Sequence, residues 1–303
     1  MRRPFFFFCL SLVFSSASSQ IVKVDTLTNW RKNFRTGLNL NQATFSSNWK
    51  AGGVNSFGFN AFLNYTLNYQ KKRDSWQSEV DMLFGMVNNE GQGYRKTLDR
   101  LYLDSKYGFD LAPKWNAFFA LNFLSQFAEG YKYVKDGNGV EQPNLISDLL
   151  APAFVTSSLG LEYKPADYFK LRMSPFATRL TIVRNSERYL FVDSIAPYGV
   201  EAGKNLRIER LAFQMLAEFN KEIATNMKLS WRYLWFANYE TFEGKKMDHR
   251  LDLTLTSKIN KFINVSLGGI FLYDFDQDTK VQLSQAFSLG ILYTFQNYQE
   301  KKK

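Results

Sequence analysis

Between Phe57 and Tyr69 the side chains alternate without a break. Phe57, Phe59, Ala61, Leu63, Tyr65, Leu67 and Tyr69 share one parity, and Gly58, Asn60, Asn64, Thr66 and Asn68 share the other. A β-strand turns successive side chains to opposite faces, so this run has one apolar and one polar face. At about 13 residues it is more than twice the usual strand length of ~5–6 residues. The pattern recurs along the chain. Leu101, Leu103, Tyr107 and Phe109 oppose Asp104, Lys106 and Asp110, and Trp115, Ala117, Phe119, Leu121 and Phe123 oppose Asn116 and Asn122. Met227 to Trp235, Leu251 to Leu255 and Phe287 to Phe295 repeat it.

About twelve such segments are expected, starting near residues 31, 55, 75, 98, 115, 151, 169, 207, 227, 248, 262 and 282. Short connections are expected at Gln70–Asp74, Ala112–Lys114, Lys164–Asp167, Glu222–Thr225 and Asn260–Lys261. They alternate with longer ones at Phe45–Val54, Asn89–Lys96, Ala128–Leu149, Arg184–Asn205, Glu240–Lys246 and Asp274–Lys280. Tight turns at one end and long loops at the other are the mark of an up-and-down transmembrane antiparallel barrel of outer-membrane type. A soluble sandwich or lipocalin-like barrel would point the apolar faces inward, and about twelve long apolar faces are too bulky for one interior. Aromatics also gather beside the short turns: Tyr69, Trp76, Phe109, Trp115, Tyr163, Phe169, Phe219, Tyr293 and Phe295. That placement predicts an interfacial girdle.

The first residues sharpen the location. Arg2 and Arg3, an apolar run from Pro4 to Phe14 and the small residues Ala17-Ser18-Ser19 have the order of a secretory signal. The expected division is a signal segment over 1–19, a short periplasmic segment over 20–29, a barrel over 30–297 and a basic tail over 298–303. An even strand count puts both ends of the barrel in the periplasm. The single Cys, Cys9, lies in the signal segment, so no disulfide framework is available. The net charge of +10 and the 17% aromatic share raise the question of nucleic acid. Export argues against it, and the basic residues are spread rather than striped. On the loops they suit lipopolysaccharide phosphates instead.

Two local motifs resemble known ones. Ser288-Leu289-Gly290-Ile291-Leu292-Tyr293-Thr294-Phe295 resembles the barrel-assembly signal of outer-membrane proteins, with Gly290, Tyr293 and Phe295 as its key positions, although Gln296 to Lys303 follow it. This implies the barrel-assembly machinery as a partner during biogenesis. Asn41-Gln42-Ala43-Thr44-Phe45-Ser46-Ser47-Asn48-Trp49-Lys50-Ala51-Gly52-Gly53-Val54-Asn55 resembles the opening motif of an uncharacterised family of Bacteroidota outer-membrane proteins, a domain of unknown function of the DUF3078 kind. The resemblance spans roughly Trp30 to Phe295. It implies the barrel and its location but no activity. Within the motif Asn41, Gln42, Asn48, Trp49, Gly52, Gly53 and Asn55 are the singled-out positions. They read either as a rigid loop that sets the first hairpin or as a partner- or ligand-binding loop.

Parity places Arg35, Asn39, Asn60, Asn64, Gln77, Glu79, Asp81, Asp104, Lys106, Glu162, Arg172, Arg210, Glu218, Arg232, Arg250 and Asp252 on the inward face. Both signs are interleaved. They can fill the lumen as paired charges, because a stranded charge is costly, or they can line a polar channel for small solutes. Barrels of eight strands are filled and those of 16–18 are open, so twelve decides neither. Passage of small polar solutes is the leading expectation, with a structural or interaction subunit docking through its long loops as the alternative. An outer-membrane hydrolase is the third class. The single His, His249, falls with Leu251 and Leu253 on the outward face, and no serine motif accompanies it. Asp274, Asp276 and Asp278 have the spacing of a calcium loop, but Thr279 and Gln285 stand where Gly and Glu are needed. No P-loop, dinucleotide fingerprint or metal cluster is present, so no cofactor is expected.

Overall fold

The computed structural model describes residues 29–46, 53–260 and 263–297. The signal segment, most of the 20–29 segment, Asn48, Trp49, Gly52 and the 298–303 tail lie outside them. Twelve strands form the barrel: β1 (Trp30–Ala43), β2 (Ser56–Lys71), β3 (Asp74–Asn89), β4 (Gly93–Ala112), β5 (Trp115–Ser125), β8 (Ala153–Ala166), β9 (Phe169–Ile182), β10 (Leu206–Ala224), β11 (Met227–Asn238), β12 (Asp248–Lys258), β13 (Ile263–Asp274) and β14 (Asp278–Gln296). A separate hairpin, β6 (Gly130–Lys135) and β7 (Glu141–Ser147), rises between β5 and β8. Every ladder is antiparallel, and β14 returns to β1 to close the ring. Closure pairs the two end strands from Asn33↔Gln296 to Asn39↔Gly290, covering edges that an open sheet would expose to lipid.

The barrel is inverted relative to a soluble protein. Phe119, Leu121, Leu159, Phe287 and Ile291 stand about half to two thirds exposed on the outside, whereas Lys106 and Glu162 have no exposed surface. Water cannot explain that distribution; hydrocarbon outside and a polar lumen can. Ring pairs bridge neighbouring strands beside the short turns: Trp30–Tyr69 and Trp115–Tyr163 at 4.8 Å, Trp76–Tyr107 at 6.3 Å and Phe219–Trp231 stacked at 5.7 Å. This is the expected girdle. A second group lies toward the long-loop end, with Phe213–Trp235 at 5.4 Å and Tyr233–His249 at 6.2 Å. His249 therefore sits in an outward aromatic belt, where Tyr233 Oη lies 2.8 Å from its Nδ1.

The strand starts agree with the alternation to within a few residues, with two corrections. The connections expected at Asn89–Lys96 and Asp274–Lys280 shrink to 90–92 and 275–277, because β4 begins at Gly93 and β14 at Asp278. Apart from Tyr94 those added residues are glycine or polar, so alternation gives little sign of them. The expected loop at Ala128–Leu149 holds the β6–β7 hairpin. It packs against the loop between β9 and β10 through a small core of Ala151, Val183, Tyr189, Tyr198 and Val200, joined by Leu145 and Val192. Tyr198 Oη donates to Ile146 O beneath it. Burial pushes the Tyr198 hydroxyl pKa up, so it stays protonated and can donate. The two longest loops thus form one structured cap over the barrel's end.

Candidate functional site

The lumen holds three arrangements of charge. The first is a dry corner against β4, β5, β8 and β9. Lys106 Nζ donates to both carboxylate oxygens of Glu162, at 2.6 and 2.5 Å. Arg172 Nε reaches Glu162 Oε2 at 3.1 Å while its Nη1 reaches Asp104 Oδ2 at 3.0 Å. Lys164, from the turn end, adds a contact to Glu162 Oε1 at 2.8 Å. Asn122 Nδ2 donates to the other side of Asp104. Parity aims these side chains at each other because Asn116 pairs with Glu162 and Glu162 with Arg172 along the ladders.

The second arrangement crosses the lumen. Arg232 on β11 donates to Glu218 on neighbouring β10 at 2.9 Å and to Glu79 on β3 at 2.8 Å. Arg100 on β4 donates to Asp81 on neighbouring β3 at 2.7 Å and to Asp252 on β12 at 3.2 Å. In the closed order β1-β14-β13-β12-β11-β10-β9-β8-β5-β4-β3-β2, β11 and β3 lie opposite each other, as do β12 and β4. Two ion-paired bars therefore join facing walls near mid-height. The Tyr102 ring lies 4.7 Å from the Arg232 guanidinium. Arg250 Nε secures Asp252 at 2.9 Å, and Asn64 links Glu79 to Arg35. The side chains of the bars keep about a fifth of their surface, 17–25%.

A third tier sits nearer the cap. Arg179 pairs with Asp248 at 2.5 Å and lies over the Phe236 ring at 3.4 Å, and Arg207 pairs with Asp276 at 2.5 Å. On the wall toward β14 the residues are small because large neighbours lean on them. A Cβ at Gly37 would strike the Phe62 ring, and one at Gly290 would strike the Asn39 side chain.

Most of the expected inward residues thus meet one another in the lumen. Arg210 is the exception: it is exposed, at a register irregularity between Glu209 and Ala212 that interrupts the parity. Arg100, Tyr102, Arg179, Arg207 and Glu209 also face this network. Stepping back by two from Asp104 reaches Tyr102 and Arg100, a signal available in the pattern.

The other candidates have defined places. Asp274 accepts from Asp276 N and Gln277 Nε2, Asp276 holds Arg207, and Asp278 accepts from Lys280 N, so each of the three carboxylates is already engaged. Asn55 accepts from Phe45 N at 2.7 Å and donates to Glu90 Oε2 at 2.8 Å, tying the first long loop to the β3–β4 tip. Gln42 Nε2 donates to Thr44 Oγ1. Asn41 lies near the end of β1 opposite Gly58, and Gly53 lies against the Phe45 ring. Tyr293 and Phe295 are outward on β14, opposite Thr36 and Phe34.

A family described as a protein of unknown function (DUF3078) matches residues 40–131, from the end of β1 into β6. The match is narrower than the resemblance read from the sequence. No curated protein sequence matches the chain. Among solved structures, the chain is similar to the COG4313 outer membrane channel from Pseudomonas putida F1, at 8% identity and a TM-score of 0.39, over 92% of this chain and 99% of that one. It is similar to the NanC porin at 8% and 0.39, over 87% and 98%. The translocator domain of the autotransporter NalP from Neisseria meningitidis gives 9% and 0.37, over 89% and 90%. The fold itself rests on the strand ladders.

Proposed function

We propose that this chain is an integral outer-membrane barrel whose lumen is barred at rest and which works at its long-loop end, as a structural or interaction subunit. The carrying observation is the pair of ion-paired bars, Arg232–Glu79 and Arg100–Asp252, that join opposite walls. On this reading the short turns and both ends of the barrel lie in the periplasm. Lipopolysaccharide surrounds the outer belt, and the assembly machinery engages Gly290, Tyr293 and Phe295. The cap offers a built surface. Its core is its own, and Phe191 and Ile195 remain exposed at 45% and 75%. A photo-cross-linker at Phe191 in intact cells should give a discrete adduct that is lost when β6–β7 is replaced by a short Gly-Ser turn. The same probe at lipid-facing Phe119 should give lipid adducts alone. Adducts that are identical at both positions would defeat this reading.

A second reading, passage of small polar solutes, is favoured by one observation. The bars are partly hydrated, unlike the Lys106–Glu162 pair. A partly open ion pair loses less on parting than a dry one, because water can take up the freed charges, so the bars part more readily than the corner. Hydrolysis has no comparable support: His249 faces outward beside Tyr233 rather than a nucleophile.

A further inference from the structure

The seam that closes the ring is uneven. β1 pairs with β2 along its whole length, from Trp30↔Tyr69 to Ala43↔Ser56. Against β14 it pairs only from Asn33↔Gln296 to Asn39↔Gly290. β14 continues outward from Leu289 to Asp278, bonded to β13 on one side. Among the described residues no strand pairs with its other side. Such an edge presents a row of backbone donors and acceptors, the template for strand addition. Natural edges are blunted by Lys and Pro. Here Lys280 lies near the tip, and Val281 to Leu289 contains neither.

The interior of the seam is also under-satisfied where the ladder stops. Asn264, Gly290, Asn39 and Asn60 form one inward row across β13, β14, β1 and β2. The side-chain oxygens of all three asparagines are buried without a hydrogen-bond partner, Asn39 being 8% and Asn264 4% exposed. Buried acceptors without partners are costly, so little is lost when the seam parts at this row.

We infer that the outer half of β14 is a docking edge for an extended polypeptide strand, which runs antiparallel to β14 in the line that β1 leaves at Leu40. The proposal rests on the membrane placement given above. Continuity with the existing ladder sets the direction of the incoming strand. Alternation sets its chemistry: Val281, Leu283 and Phe287 face outward at 64–67% exposure, while Gln282 and Ser284 share the inward parity. The partner is therefore a segment that alternates apolar and polar residues. A second copy in the same membrane is a poorer fit. Its β14 runs the same way, outside to inside, so two such edges meet in parallel, while every ladder in this barrel is antiparallel.

Two measurements on the full barrel in nanodiscs test this. Thr36→Cys with Tyr293→Cys probes a paired rung, and Gln42→Cys with Phe287→Cys probes the position six residues further along the same register. The first pair should oxidise at least tenfold faster than the second. Amide hydrogen exchange of Val281 to Leu289 should then slow at least tenfold on adding an acetylated, amidated (Thr-Val)5 peptide, with no change for a proline-interrupted version. Equal oxidation of both pairs, slow exchange before any peptide is added, or no slowing at saturating peptide would each overturn the inference. Failure of the Thr36–Tyr293 pair to cross-link would instead defeat the barrel closure on which the membrane reading depends.

Discussion

Two groups of ion pairs share one lumen and do different work. Lys106–Glu162 and Arg172–Asp104 are packed away from water, with side chains 0–6% exposed. Arg232–Glu79 and Arg100–Asp252 span the lumen with about a fifth of their surface still open. The chemistry is the same, so burial makes the difference. A dry charge that loses its partner cannot be rescued by solvent, whereas a hydrated one can. On the proposed reading the corner is a fixed part of the wall, and the bars are the part that can move.

The comparison breaks most directly at Glu162. Glu162→Gln leaves Lys106, Lys164 and Arg172 facing a neutral group, so stability should fall by about 3–5 kcal/mol, read as a lower urea midpoint for the folded barrel. Gly290→Ala should come next, at about 1–3 kcal/mol, because Asn39 must be displaced. Asn39→Ala in the same chain should relieve the side-chain part of it and leave the strain against the Leu38 carbonyl. Arg232→Ala frees Glu79 and Glu218, which keep part of their surface open, and should cost less than Glu162→Gln, about 1.5–3 kcal/mol. A cost for Arg232→Ala as large as that of Glu162→Gln would erase the distinction between corner and bar.

The cap gives the smallest effects. Tyr198→Phe removes the donor to Ile146 O and should cost about 0.5–1.5 kcal/mol, seen as faster proteolysis within 126–152 while the barrel stays folded. Asp193 accepts from the backbone N–H of Ile195 and Ala196, and these bonds hold its carboxyl below its ordinary range. A depressed carboxylate stabilises above its unfolded pKa and loses that contribution as pH falls through its folded one. Cap proteolysis should therefore quicken only at pH below the ordinary carboxylate range, and Asp193→Asn should remove the dependence.

Period-two alternation made the twelve strands legible, along with the girdle and most inward residues, because one face meets lipid and the other does not. Register shifts limited the rest. The irregularity between Glu209 and Ala212 took Arg210 off the predicted parity. Those on β9 before Ala177 flipped it again and hid Arg179. Lys164 lies two residues beyond Glu162 on β8 and shares its parity; the reading of Lys164–Asp167 as a turn hid it. The bars were not legible at all. Strand order is needed to learn that β3 faces β11 and β4 faces β12, and alternation along one strand carries no information across the lumen.

The central claim is that the bars close the lumen, and single-barrel conductance in a planar bilayer tests it. The wild-type barrel should be silent for most of the recording, and Arg100→Ala with Arg232→Ala should conduct steadily. A wild-type barrel that conducts as steadily as the double variant would contradict the account.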